Sequence, residues 1–189
     1  MVNIDNVQFD LIFGAFLSVF IVFVFLRNTT ATFVSALAIP TSVIGTFAII
    51  DYLGYDLNRL TLIGLTLAIG IFIDDAIVVI ENIMKKMEDG ATTFQASFEG
   101  AKEVAFSILA ISSVLLAVFV PVAFMDGIVG MFFNSFAMTV ASGIVISYFV
   151  AIMFIPSIGA RVLSTKQSRF YHATEPILSA IDKSYTWLL

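Results

Sequence analysis

Polar residues in this chain come in clumps, and the stretches between them are almost purely apolar. Runs with little or no charge cover Leu11 to Leu26, Asn28 to Ile50, Leu60 to about Met84, Val104 to Met125 and about Met131 to Ala160. A helix crosses a hydrocarbon core of about 30 Å with roughly 20 apolar residues, so each run predicts one membrane span. Five spans result, over about 11–26, 30–50, 59–85, 103–125 and 131–161. The first is near the short limit, which places Phe9 and Asp10 at its interface. The expected fold is all-α, a polytopic membrane helix bundle. Five transmembrane helices fill residues 11–161, the end of an outer segment occupies 1–10, and a cytoplasmic amphipathic segment follows at 162–189.

Composition agrees with a membrane protein. Of the 189 residues, 60% are hydrophobic and 12% charged, about half the charge of a soluble domain. With no cysteine and one histidine there is no disulfide framework, no thiolate site and no imidazole cluster, so no metal and no cofactor is expected. The net charge of −5 says little about partners until the loops are assigned to sides of the membrane.

Alternating the loops gives a lopsided distribution. Arg27, Lys85, Lys86, Lys102, Arg161, Lys166, Arg169 and Lys183 share one side, and Arg59 stands alone on the other. The positive-inside rule makes the crowded side cytoplasmic, with the N-terminus out and the C-terminus in. Met1 to Asp10 has no basic n-region and no cleavage site, so it is no signal peptide, and the simpler expectation is that the natural chain continues upstream. Between the third and fourth spans, Glu88-Asp89-Gly90 reads as a loop, and Thr92 or Thr93 as the N-cap of a short amphipathic turn with Phe94 and Phe98. Beyond the fifth span, Phe170, Ile177, Leu178, Ile181, Tyr185 and Leu188 recur at near-helical spacing beside Arg169 and Lys183. That pattern suits a helix lying on the inner surface, against a disordered tail or the start of a further span.

The candidate chemistry is Asp74-Asp75. Entering near Arg59 and rising 1.5 Å per residue, the third helix has climbed only about 22 Å at Asp74, and Ala76 to Ile80 is apolar again before Lys85 and Lys86. The pair therefore lies within the membrane rather than in headgroups. An ionised carboxylate there costs about 2.5–3.5 kcal/mol, so it faces protein or a water-filled cavity. At 100° per residue, Gly64, Gly70, Asp74, Asp75, Glu81, Asn82 and Lys85 share an arc of roughly 140°. The glycines at 64 and 70 would admit a neighbouring helix beside the acids, with Glu81 and Asn82 as supporting polar residues. Removal from water favours the neutral carboxyl and a nearby cation favours the ionised one, so an acid whose cation approaches and withdraws is a proton switch. No Lys or Arg lies mid-span, so that cation comes from a further segment or a partner.

The acids admit two other readings. A static ion pair would make the chain a structural or assembly subunit, or an inactive fragment. Intramembrane aspartyl proteolysis needs carboxyls on two facing helices sharing a water, whereas adjacent residues on one helix project about 100° apart, so no catalytic residues are expected. Pro40, Pro121 and Pro156 read as tolerated kinks rather than hinges. Ser135, Thr139, Ser142, Gly143 and Ser147 form a small-residue face read as close helix packing rather than a polar conduit. His172 reads as an interfacial residue, and the phenylalanines as lipid contact and core filler.

The run Gly70-Ile71-Phe72-Ile73-Asp74-Asp75-Ala76-Ile77-Val78-Val79-Ile80-Glu81-Asn82 resembles the fourth transmembrane helix of the resistance-nodulation-division (RND) superfamily, in its hydrophobe/amphiphile efflux branch. Val7-Gln8-Phe9-Asp10, Phe25-Leu26-Arg27-Asn28, Ala38-Ile39-Pro40, Gly100-Ala101-Lys102-Glu103-Val104, Phe119-Val120-Pro121-Val122-Ala123-Phe124 and Ile155-Pro156 are similar to that family in order and spacing. The resemblance implies a piece matching the second to sixth helices of the N-terminal half, followed by the cytoplasmic surface helix. It implies Asp74 and Asp75 as the proton-relay pair, facing a lysine on a tenth helix that lies in an absent C-terminal half. It further implies proton/substrate antiport in a bacterial inner membrane, as a homotrimer with a periplasmic adaptor and an outer-membrane channel. Metal exporters of the superfamily usually lack the second acid, so organic amphiphiles are the implied cargo. The expected partners are thus lipid and these proteins, with no nucleic acid and with protons as the coupling ion.

Overall fold

A computed structural model of the chain describes residues 4–26 and 28–163, with side chains from residue 12 onward. The expected surface helix at 162–189 lies outside the described residues beyond Leu163, and so does Arg27. Among the described residues every regular element is a helix. Four helical runs, Thr29–Tyr52, Arg59–Glu88, Thr93–Ala123 and Gly127–Val162, are long and apolar enough to cross a membrane, and Ile12–Leu26 is a shorter apolar one.

Helix α1 (Ile4–Leu26) has 23 residues, beginning well before the apolar run that marks it in the sequence. The second run folds as two helices, α2 (Thr29–Ala36) and α3 (Ala38–Tyr52), which meet at Leu37. Asn28 starts α2 by accepting from Thr30 N (3.0 Å) and Ala31 N (3.2 Å). The interruption has a local cause. Pro40 has no N–H to offer the carbonyl of Ala36, and its ring crowds that carbonyl, so the ladder breaks one turn earlier. Thr41 donates its hydroxyl to the neighbouring Leu37 carbonyl at 2.8 Å, alongside its own N–H.

Helix α4 (Arg59–Glu88) begins in a capping box: Asn58 accepts from Leu60 N and Thr61 N, and its own N–H donates to Thr61 Oγ1 at 2.8 Å. It ends where Gly90 takes φ +95°, which only glycine adopts without strain. Thr92 caps α5 (Thr93–Ala123), so the amphipathic turn carrying Phe94 and Phe98 is continuous with the span that follows. Pro121 stands in the last turn of α5. The last span comprises α6 (Gly127–Phe149), a π-helical turn (Val150–Phe154) and α7 (Ile155–Val162).

The central element is α4, packed chiefly on α6 and α5 and also on α1, α3 and α7. Two apolar clusters lie along it. One gathers Val22, Ile39, Leu65, Phe72 and Ile73, and the other Val34, Ala76, Val79, Ile83, Ile108 and Ile155. By contrast α5 is peripheral, with Phe106, Ile111, Val114 and Val118 exposed, as suits a lipid-facing helix. Lys85, Lys86, Lys102 and Arg161 gather at one end of the bundle, hereafter the basic end.

At that end α4 and α5 are clamped together. A Cβ on Gly100 would stand 3.0 Å from the backbone of Ile83, Asn82 Nδ2 donates to Gly100 O (2.9 Å) and Glu103 Oε2 (3.2 Å), and Lys86 Nζ pairs with Glu103 at 2.9 Å. Because two of the three nearest atoms, N and Cα of Ile83, are main chain, the helices themselves must part to admit a methyl group. Gly100→Ala is expected to cost about 1–3 kcal/mol, read as a lower midpoint of unfolding in mixed detergent.

Candidate functional site

The two acids face different ways, as their 100° separation on one helix requires. Asp75 is 6% exposed, and Ser147 of α6, 1% exposed, donates its hydroxyl to Asp75 Oδ2 at 2.6 Å. Asp75 sits between Phe72 and Ile73 of one apolar cluster and Ala76 and Val79 of the other, so Ser147 is its polar contact within an apolar wall. Asp74 is exposed. It shares its helix face with Ile63, Leu67, Gly70, Val78 and Glu81, all exposed as well, a stripe at three- and four-residue spacing.

The other singled-out residues divide between these faces. Gly64 is buried, and a Cβ there would stand 3.0 Å from Phe136 O of α6, so it does receive a neighbouring helix. Gly70 has nothing within 4 Å of a built Cβ. Glu81 is exposed at the basic end of the stripe, while Asn82, two turns beyond Asp75 on nearly the same side of α4, is engaged in the α4–α5 clamp rather than with the acids. Of the small-residue face on α6, Gly143 would place a Cβ 2.9 Å from the Phe72 ring, and Thr139 is spent on the Ser135 carbonyl at 2.7 Å. Packing is therefore what most of that face does. Ser147 does something more.

The small-residue pattern of α6 assigns Ser147 to helix packing and does not pair it with Asp75. A usable signal was depth. Counting from the basic end, Asp75 precedes Lys86 by about 16 Å of helix and Ser147 precedes Arg161 by about 21 Å, a difference of about one turn. Two parallel helices that meet through small residues bring such positions side by side.

A family model described as the AcrB/AcrD/AcrF family matches residues 2–189, nearly the whole chain. The chain belongs to this family. As an AcrB/AcrD/AcrF member it is a membrane region of an RND-type transporter, which accords with the spanning helices.

Removing the Ser147 hydroxyl tests the geometry within this chain. Interhelical hydrogen bonds in membranes average about 0.6 kcal/mol and reach about 1.7. Ser147→Ala is expected in the upper part of that range because the acceptor is a buried carboxyl, measured as loss of unfolding free energy in lipid–detergent mixtures. Ser113→Ala is the control, since Ser113 bonds only its own helix, at Leu109 O.

Proposed function

We propose that this region carries the proton pathway of an efflux pump that exchanges protons for organic amphiphiles, with Asp74 and Asp75 as the relay pair. The observation that carries the reading is their arrangement: one carboxyl sealed against α6 by Ser147, the next one open on an uncovered face of the central helix. A static pin needs one acid with one partner. Here one acid is held and its neighbour is left available to a different helix.

In the intact protein a basic residue from outside residues 1–189 faces Asp74. Protons arriving from the periplasmic side neutralise the pair, loosen its hold on that base and let α4 shift against the opposing half. Each charge crossing the full membrane potential contributes about 2.3 kcal/mol per 100 mV. Transport of this kind belongs to an inner-membrane assembly, a homotrimer joined to a periplasmic adaptor and an outer-membrane channel, with protons in place of a cofactor.

The test uses the full-length protein in proteoliposomes. An imposed proton gradient is expected to drive a cationic amphiphilic dye against its own gradient, and dye movement to consume the proton gradient in return. Dye movement that ignores the proton gradient would overturn the antiport reading. Infrared titration separates the relay from a fixed ion pair, because a fixed pair shows no carboxyl protonation linked to helix movement.

A further inference from the structure

The wide turn at Val150–Phe154 lies one helical turn beyond Ser147, and the antiport reading makes no use of it. In it the N–H of Ile155 donates to Val150 O, five residues back instead of four. Pro156 gives a local reason: its ring would collide with the carbonyl of Ile152 in a regular helix, and it has no N–H to donate. Ser157 donates its hydroxyl to Met153 O at 2.6 Å. Relief of Pro156 explains why a turn can widen here. It does not explain which way the two halves of the span face.

Burial along the span supplies that. Ser147, Ala151, Ile155 and Gly159 are all buried, at every fourth position, whereas Phe154 and Ile158 are only partly so. In an unbroken α-helix, every fourth residue drifts by about 40°, so Ile155 and Gly159 would lie about 80° and 120° away from Ser147. Phe154 and Ile158 would instead fall within about 20° of it, and they would be the buried ones. A π turn inserts one extra residue, about 100° of helix phase, and brings Ile155 and Gly159 back beneath Ser147. Both ends are anchored. Ile155 lies in the apolar cluster of Ile83 and Ala96, and a Cβ on Gly159 would meet Ser97 Oγ of α5 at 3.6 Å.

We propose that the π turn sets the rotational register of the last span, aiming Ser147 at Asp75 while α7 stays seated on α4 and α5, so that Pro156 acts as a positioning residue for the buried acid. Removing the extra residue would force one half to turn, and a turn of α6 carries Ser147 off Asp75.

The chain contains no cysteine, so single thiols report cleanly. The test compares the 189-residue chain in lipid nanodiscs with a variant lacking Ile152 and carrying Pro156→Ala, which lets the helix run straight. A Ser147→Cys thiol is expected to resist maleimide in the parent and to label in the variant, while a Val79→Cys thiol on α4 stays protected in both. With Ser147 retained, the C=O stretch of protonated Asp75 is expected to move to higher wavenumber in the variant, to where Ser147→Ala moves it, with no further shift when the two are combined. Reinsertion of one alanine after Phe154 should restore both readouts. Continued protection at position 147 with an unmoved band would overturn the proposal, showing that α7 takes up the rotation. Labelling at both 147 and 79, or failure of the reinsertion to restore the parent pattern, would overturn it equally. No readout here depends on transport, so these results stand apart from the fate of the antiport reading.

Discussion

On the proposed antiport reading, Asp75→Asn and Asp74→Asn in the full-length protein are each expected to reduce export to background while the assembled protein is recovered in normal amount. Asparagine keeps the size and the hydrogen-bonding capacity of aspartate, so Ser147 retains an acceptor at position 75 and α4 keeps its packing. On that reading, what is lost is a site that gains and sheds a proton. At 100 mV, one uncoupled charge removes about 2.3 kcal/mol of driving force, equivalent to about a fiftyfold smaller sustainable gradient. The decisive measurement is dye efflux in cells with the variant's membrane level checked in parallel. Near-normal export by either variant would sink the relay assignment, and loss of the assembled protein would make the acid a structural pin.

The second large effect lies at the opposite end of the bundle from the lysines and needs no transport assay. Gly130, in the first turn of α6, faces the carbonyl of Met125 so closely that a Cβ would overlap it. The obstructing atom is backbone in the tight connection between α5 and α6, where Asn134 Nδ2 also donates to Ala123 O, so it has no rotamer by which to retreat. Overpacking of a side chain typically costs about 1–3 kcal/mol, and a fixed carbonyl places Gly130→Ala at or above the top of that range. The α5–α6 hairpin should open, giving lower recovery of folded protein and a lower unfolding midpoint. Gly14→Ala is the matched control: no atom stands within 4 Å of its built Cβ, and exchange of glycine for alanine in an open helix position gains about 0.5–1 kcal/mol. Equal stability of Gly130→Ala and the parent would refute this account of the turn.

Much of this architecture is legible in the residue pattern because a bilayer imposes one dominant constraint. Backbone polar groups in hydrocarbon must be satisfied within the segment, so an apolar run long enough to cross becomes a helix. The loop at Glu88 to Gly90 and a cap at Thr92 were legible for the same local reasons, a left-handed glycine and a side-chain acceptor. The break at Leu37 was less so. Pro40 signals a disturbance, but prolines in membrane helices are often tolerated, and the apolar run passes through the break without a mark.

The site divides along the same line. Its acids stand out because charge is costly at their depth, and their 100° separation follows from α-helical geometry. Which acid is sealed and which is open does not follow, since each is equally polar in a one-dimensional pattern. That depends on α6 crossing α4 where Gly143 admits Phe72, which carries Ser147 to Asp75 and leaves Asp74 and Gly70 uncovered.

Helix type, membrane depth and the presence of buried charge are thus properties of each stretch alone, because solvation acts on every residue independently of its distant neighbours. Facing and partnership arise only when helices meet. Asn82 joined to α5, Ser147 turned onto Asp75 and the extra residue of the π turn all come from contacts between segments far apart along the chain, where close packing, unlike hydropathy, depends on the shapes of both surfaces.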